Sequence, residues 1–133
     1  MPDPAGALRI VLAPSARSDI REALTWSLER FGERAAERYR CLLKQALRDI
    51  ASDPQHPGSR ERPELGHGIR TYHLFFSRNR VRNGSGAFRR PRHFLVYRRR
   101  GEDLIDVIRV LHDARDLERH LPEEYRDPHS NKE

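Results

Sequence analysis

Apolar positions along the 133-residue chain change period more than once, and each change marks an element. Residues 8–13 (LRIVLA) form a short β-branched run closed by Pro14, which reads as a strand. Ser15 then offers a hydroxyl that can cap a helix. Ile20, Ala23, Leu24, Leu28 and Phe31 follow at helical spacing, a single stripe expected to lie in the core. Trp26 falls off that stripe, where it covers the edge of the core or meets a partner. Gly32 supplies a break that other residues reach only at a steric cost. A second helix is predicted over residues 33–51, with Ala36, Tyr39, Leu43, Ala46, Leu47 and Ile50 on one side. Ser52-Asp53-Pro54 stops it, and Pro57-Gly58-Ser59 continues as loop. So short a turn makes the two helices an antiparallel hairpin.

Beyond the loop, β-branched and aromatic residues take over. Residues 69–76 (IRTYHLFF), 93–99 (HFLVYRR) and 104–112 (LIDVIRVLH) read as three strands, the last two joined by a turn at 100–103. The near-continuous apolar run of the last strand is that of a central strand buried on both faces. One face meets the helical hairpin, and the other is left for a further cover. Between the first two strands lies an insertion at 78–92, rich in arginine and glycine, with a flexible Asn83-Gly84-Ser85-Gly86 centre. Asp113 can cap a short final helix carrying Leu117 and Leu121 and ended by Pro122; residues 123–133 are a polar tail. The predicted order is β-α-α-β-β-β-α, an α+β fold of two layers in one domain spanning 1–122.

Composition narrows the setting. No apolar run reaches the roughly 18 residues of a membrane span, and the N-terminus has no signal-peptide pattern, so a cytoplasmic protein is expected. Cys41 is the single cysteine, which removes intramolecular disulfides and cysteine-rich metal sites. The net charge of +6 is unevenly spread: residues 60–100 carry twelve arginines against Glu61 and Glu64. That stretch is +10, and the rest of the chain is −4. Such a stretch is either a solvated basic face or a surface for nucleic acid or an acidic protein, since the arginine fork suits phosphates and carboxylates. Arg78, Arg80, Arg82, Arg89, Arg90 and Arg92 of the insertion are the candidate nucleic-acid contacts.

Four segments in the right order carry a family resemblance: the opening strand with Pro14-Ser15-Ala16-Arg17-Ser18-Asp19-Ile20; Gly68-Ile69-Arg70-Thr71-Tyr72; His93-Phe94-Leu95-Val96-Tyr97-Arg98; and Val107-Ile108-Arg109-Val110-Leu111-His112-Asp113-Ala114-Arg115-Asp116-Leu117. Together they resemble the RelE/ParE toxin superfamily of type II toxin–antitoxin systems, closest to its ParE-like members. The resemblance implies the RelE/ParE fold and an antitoxin partner whose C-terminal part wraps the toxin in a hetero-oligomer. It also implies one of two targets: ParE-like toxins poison DNA gyrase, whereas RelE-like toxins cut messenger RNA on the ribosome. The insertion at 78–92 departs from the family, where a tight turn is usual.

Cutting RNA needs a base, an acid and cations for the phosphorane. In that role Arg70, Arg98 and Arg115 would supply charge, and His112 is the group near the motif that titrates close to neutrality. Against it, Lys44 and Lys132 are the only lysines, and the tyrosine that RelE-like toxins carry after the last strand is replaced by Asp113-Ala114-Arg115-Asp116-Leu117. His112 and Asp116 can also simply bond to each other, and Arg115 can pair with Asp116 or Glu118. His67 and His73 have no metal-ligand spacing, and neither a metal nor a cofactor is expected. The favoured reading is a gyrase-inhibiting toxin, not an enzyme, with Arg70, Arg98 and Arg115 as a partner-facing cluster. The alternatives are a ribosome-dependent endoribonuclease and a non-toxic nucleic-acid-binding relative.

Overall fold

The computed structural model describes residues 7–80 and 91–113. The predicted final helix, the polar tail and the middle of the insertion lie outside the described residues. Strand β1 (Arg9–Leu12) leads into helices α1 (Pro14–Phe31) and α2 (Glu33–Ser52). Strands β2 (Ser59–Glu61) and β3 (Ile69–His73), a 3-10 helix (Leu74–Arg80), and strands β4 (His93–Arg100) and β5 (Leu104–His112) follow. The sheet runs β1-β5-β4-β3-β2, antiparallel except where β1 lies parallel to β5. The helical hairpin packs on one face, giving the two-layer α+β architecture.

Gly32 ends α1 with a φ of +94°, in the region that penalises a Cβ, and its N–H caps the Leu28 carbonyl. The next residue starts α2, whose Tyr39, Leu42, Leu43, Ala46 and Ile50 form the helix side of the main core. Facing them from the sheet are Tyr72, Leu95, Tyr97, Ile105, Val107 and Val110. Gly101, with φ +68°, makes the tight β4–β5 turn at the predicted place.

Four expectations need correction. First, α1 begins at Pro14, and Ser15 is inside it rather than capping it; its hydroxyl donates to the Ile108 carbonyl at 3.4 Å. Second, residues 74–76 leave the sheet: the 3-10 helix starts at Leu74, with Leu74 and Ser77 buried and Phe75 and Phe76 turned outward. The Asp49 carboxylate of α2 draws Ser77 in (2.5 Å), and Ser77 bonds the Tyr72 hydroxyl at 2.8 Å, so the chain must coil there. Third, a short edge strand, β2, stands where loop was expected, because Ser59-Arg60-Glu61 pairs through its backbone with β3. Fourth, the second face of the sheet is not waiting for a cover. Leu65 packs there on Ile69, Val96, Ile108 and Leu111 as a separate buried cluster, with Phe94 at its edge.

The face that α1 buries also differs from the apolar stripe. Its buried residues are Ala16, Asp19, Ala23 and Ser27, with Ile20 and Leu24 half-buried beside them. At 3.6 residues per turn this face is rotated by roughly 70° from the stripe read in the sequence. Small side chains let the helix lie close on β5, and the partners of Asp19 fix the rotation. Leu28 and Phe31 are consequently 45% and 63% exposed, not core. Leu28→Gln is therefore expected to change the free energy of unfolding by no more than about 0.5 kcal/mol in denaturant melts. A loss of about 2 kcal/mol or more would place Leu28 in the core after all.

Candidate functional site

β1 pairs β5 only as far as Val107, so the outer edge of β5 beyond that point meets α1 instead of a strand. Unpaired backbone groups there would be costly. The Asp19 carboxylate accepts the Val110 N–H at 2.9 Å and the Arg109 guanidinium through two bonds, at 2.6 and 2.9 Å. Arg109 lies on the far face of the sheet beside Val96, so its side chain wraps the edge to reach Asp19. This clamp locks α1 against the end of β5 and shapes what lies next to it.

Next to it is a groove. Its first hollow, about 950 Å³, runs between the outer side of α1 (Ser18, Glu22, Trp26) and the strand ends at His93, Val110 and His112. A second hollow of about 670 Å³ shares Trp26 and His112 and continues past Phe31, Arg38, Tyr39 and Arg92. Trp26 is 37% exposed and meets Phe31 edge to face, ring centres 5.6 Å apart, with the Arg30 guanidinium over the indole at 5.2 Å. Large apolar rings left in water beside a cavity mark a binding surface.

The groove floor is polar and tied together. The Tyr39 hydroxyl lies 2.7 Å from His93 Nδ1 and accepts the Arg92 N–H at 3.1 Å. Burial holds that hydroxyl well above the ordinary tyrosine range, although the bond from the Arg92 backbone pulls the other way. It therefore stays neutral at any physiological pH. The His93 ring contacts His112 edge to face at 5.4 Å. Asp113 closes the end, 3.2 Å from His73 Nε2 and 3.5 Å from Arg92 Nε. The mouth is thus aromatic in the middle, with arginines at one end.

Arg70 and Arg98, singled out in the sequence, are not brought together. Arg70 stands opposite Tyr97 in the register, on the helix side of the sheet, and donates to Ser59 Oγ at 3.0 and 2.8 Å. Its Nη1 lies 3.6 Å from Glu61. Arg98 stands opposite Ile69, whose side chain belongs to the second cluster. Directly opposed residues share a face, so Arg70 and Arg98 point to opposite sides. His112, opposite His93, is on the helix side but about 13 Å along the strands from the Arg70 level. Arg115 and the expected His112–Asp116 contact lie outside the described residues, as do Arg82, Arg89 and Arg90. Of the other insertion arginines, Arg80 pairs with Asp49 at 2.9 Å, Arg92 lies at the groove, and Arg78 sits over the Phe75 ring. Among the described residues no group of three or more His, Cys, Asp or Glu side chains is placed to hold a metal ion.

Most of the residues that build the groove carry no mark of a site in the sequence. Trp26 standing off its stripe is one signal, and His112 and Arg92, singled out in the sequence for other roles, also line the groove. Tyr39 and Phe31 read as core positions, and nothing local connects Asp19 to Arg109.

Comparison with known proteins gives a consistent picture. The family model described as ParE toxin of type II toxin-antitoxin system, parDE, matches residues 10–117. Toxin ParE1 of Mycobacterium tuberculosis (strain CDC 1551 / Oshkosh) is 29% identical over 113 residues, covering 85% of this chain and 97% of that protein. The same figures hold for Toxin ParE1 of strain H37Rv. Among solved structures, a chain of the chromosomal ParDE TA system from P. aeruginosa superposes with a TM-score of 0.55 at 15% identity. That match covers 81% of this chain and 98% of the other, and it establishes likeness of fold.

Proposed function

Because the chain belongs to the ParE toxin family of type II toxin–antitoxin systems, we propose that it poisons DNA gyrase in the cytoplasm and that a cognate antitoxin neutralises it by filling the groove on α1. The groove carries this reading. An amphipathic helix or extended segment laid along it would set apolar side chains against Trp26 and Phe31. Carboxylates flanking those side chains would face Arg38 and Arg92 at the basic end. Charge complementarity of that kind speeds and orients docking more than it tightens it, whereas the buried rings supply the affinity.

The nuclease alternative gains nothing from the geometry. A phosphorane needs its cations within hydrogen-bond reach of one group. Arg70 and Arg98 lie on opposite faces, and Arg70 is already engaged by Ser59 and Glu61. No specific observation favours that second reading.

Induced expression in bacteria tests the proposal. Growth arrest with an SOS response and intact messenger RNA is the expected result, suppressed by co-expression of the antitoxin encoded alongside. Messages cleaved before any SOS signal would contradict it.

A further inference from the structure

The 3-10 helix carries a surface feature unrelated to the groove's chemistry. Phe75 and Phe76 are 40% and 49% exposed, with ring centres 5.5 Å apart at 88°. The Arg78 guanidinium lies 3.8 Å over the Phe75 ring, and its Nη1 donates to the Phe75 carbonyl at 3.3 Å. Among the described residues Arg78 has no carboxylate partner.

The platform is anchored from beneath. Ser77 is buried between Asp49 and the Tyr72 hydroxyl, and Arg80 is anchored to Asp49 on the next turn. Phe76 lies flat on the chain at Gly58, where a Cβ would come within 2.6 Å of its ring. Only glycine leaves room for it. The surrounding sequence is strongly cationic: from residue 65 to 101 there are ten arginines and not one Asp or Glu.

We infer that Phe75, Phe76 and Arg78 form a stacking platform for unpaired bases of single-stranded nucleic acid. Two properties select that ligand. Exposed rings and a guanidinium already laid over one of them present flat faces on which a base can stack, whatever its identity. A duplex keeps its bases stacked on each other, so it would engage the arginines through phosphates and leave the phenylalanines unused. A protein partner would bury the same rings under apolar side chains, and a measurement of gyrase binding separates that case from base stacking.

Fluorescence anisotropy with the full chain tests this, using a labelled 15-nucleotide oligo-dT and a 15-base-pair duplex at matched low salt. Phe75→Ala is expected to weaken oligo-dT binding about tenfold while leaving duplex binding within about twofold. Arg78→Gln should weaken both and flatten their salt dependence. Because Phe75 is exposed, its variant should melt with the wild-type midpoint. Oligo-dT affinity unchanged in Phe75→Ala, an equal loss on single strand and duplex, or no oligo-dT binding at low salt would each overturn the inference. So would an unchanged oligo-dT affinity combined with lost binding to gyrase, which would mark the platform as a protein contact. Gyrase inhibition in the absence of added single strands is a separate readout, so failure here does not count against the toxin reading.

Discussion

Replacing Asp19 with alanine is expected to destabilise the protein by about 3–5 kcal/mol, the range for removing one partner of a buried ion pair. The carboxylate is 7% exposed and satisfies three donors at once: both guanidinium bonds from Arg109 and the backbone N–H of Val110. Alanine leaves a charge and an N–H inside without partners, and it frees α1 from the edge of β5. An asparagine side chain would keep an acceptor for Val110 but lose the charge, so Asp19→Asn should fall between wild type and Asp19→Ala. Removing both charges is instructive. The pair Asp19→Ala with Arg109→Met should be less destabilised than the sum of the single changes, because no buried charge is left over. Urea unfolding of wild type, the two single variants and the double variant measures this; additive losses would mean that the clamp is not a coupled unit.

The second large effect concerns binding. Trp26→Ala is expected to weaken antitoxin binding by at least about 2 kcal/mol, roughly thirtyfold, as aromatic anchors at the centre of an interface do. Phe31→Ala should act in the same direction. Both side chains are already well exposed in the free protein, so truncating them removes little from its own core. That separation of affinity from stability is what identifies a docking surface. Calorimetric titration with the purified antitoxin, alongside thermal melts, reads both quantities. Full affinity in Trp26→Ala would move the antitoxin elsewhere on the molecule; lost affinity with a collapsed melt would make Trp26 structural.

Local patterns make much of the fold legible. Gly32 between two helical periods, Gly101 between two strand-like runs, and the apolar run at 104–112 each follow from backbone sterics or burial acting over a few residues. What stays hidden depends on contacts far apart in the chain. The rotation of α1 is set by Asp19 meeting Arg109 and Val110, about ninety residues on, and no stripe of leucines reveals that. β2 escapes a reading by pattern because an edge strand built of Ser59-Arg60-Glu61 has no apolar face to announce it. Phenylalanines favour sheets and so extend the apparent strand to Phe76, yet Ser77 held by Asp49 turns the chain into a 3-10 helix after His73. The candidate site is less legible still. Spacing along adjacent strands suggests that Arg70 and Arg98 act together, but a register offset of one residue sends them to opposite faces. Trp26, displaced from the apolar stripe, points toward the groove, and His112 and Arg92 reach it although the sequence suggests other roles for them.

Gyrase inhibition by this ParE-family toxin, with silencing through the α1 groove, is the proposed activity. A supercoiling assay with purified gyrase and relaxed plasmid tests it most directly, with the toxin added alone and after incubation with its antitoxin. The toxin alone is expected to block supercoiling or leave cleaved plasmid, the antitoxin to restore activity, and Trp26→Ala toxin to resist this rescue. Gyrase working at full rate in the presence of excess folded toxin would contradict it.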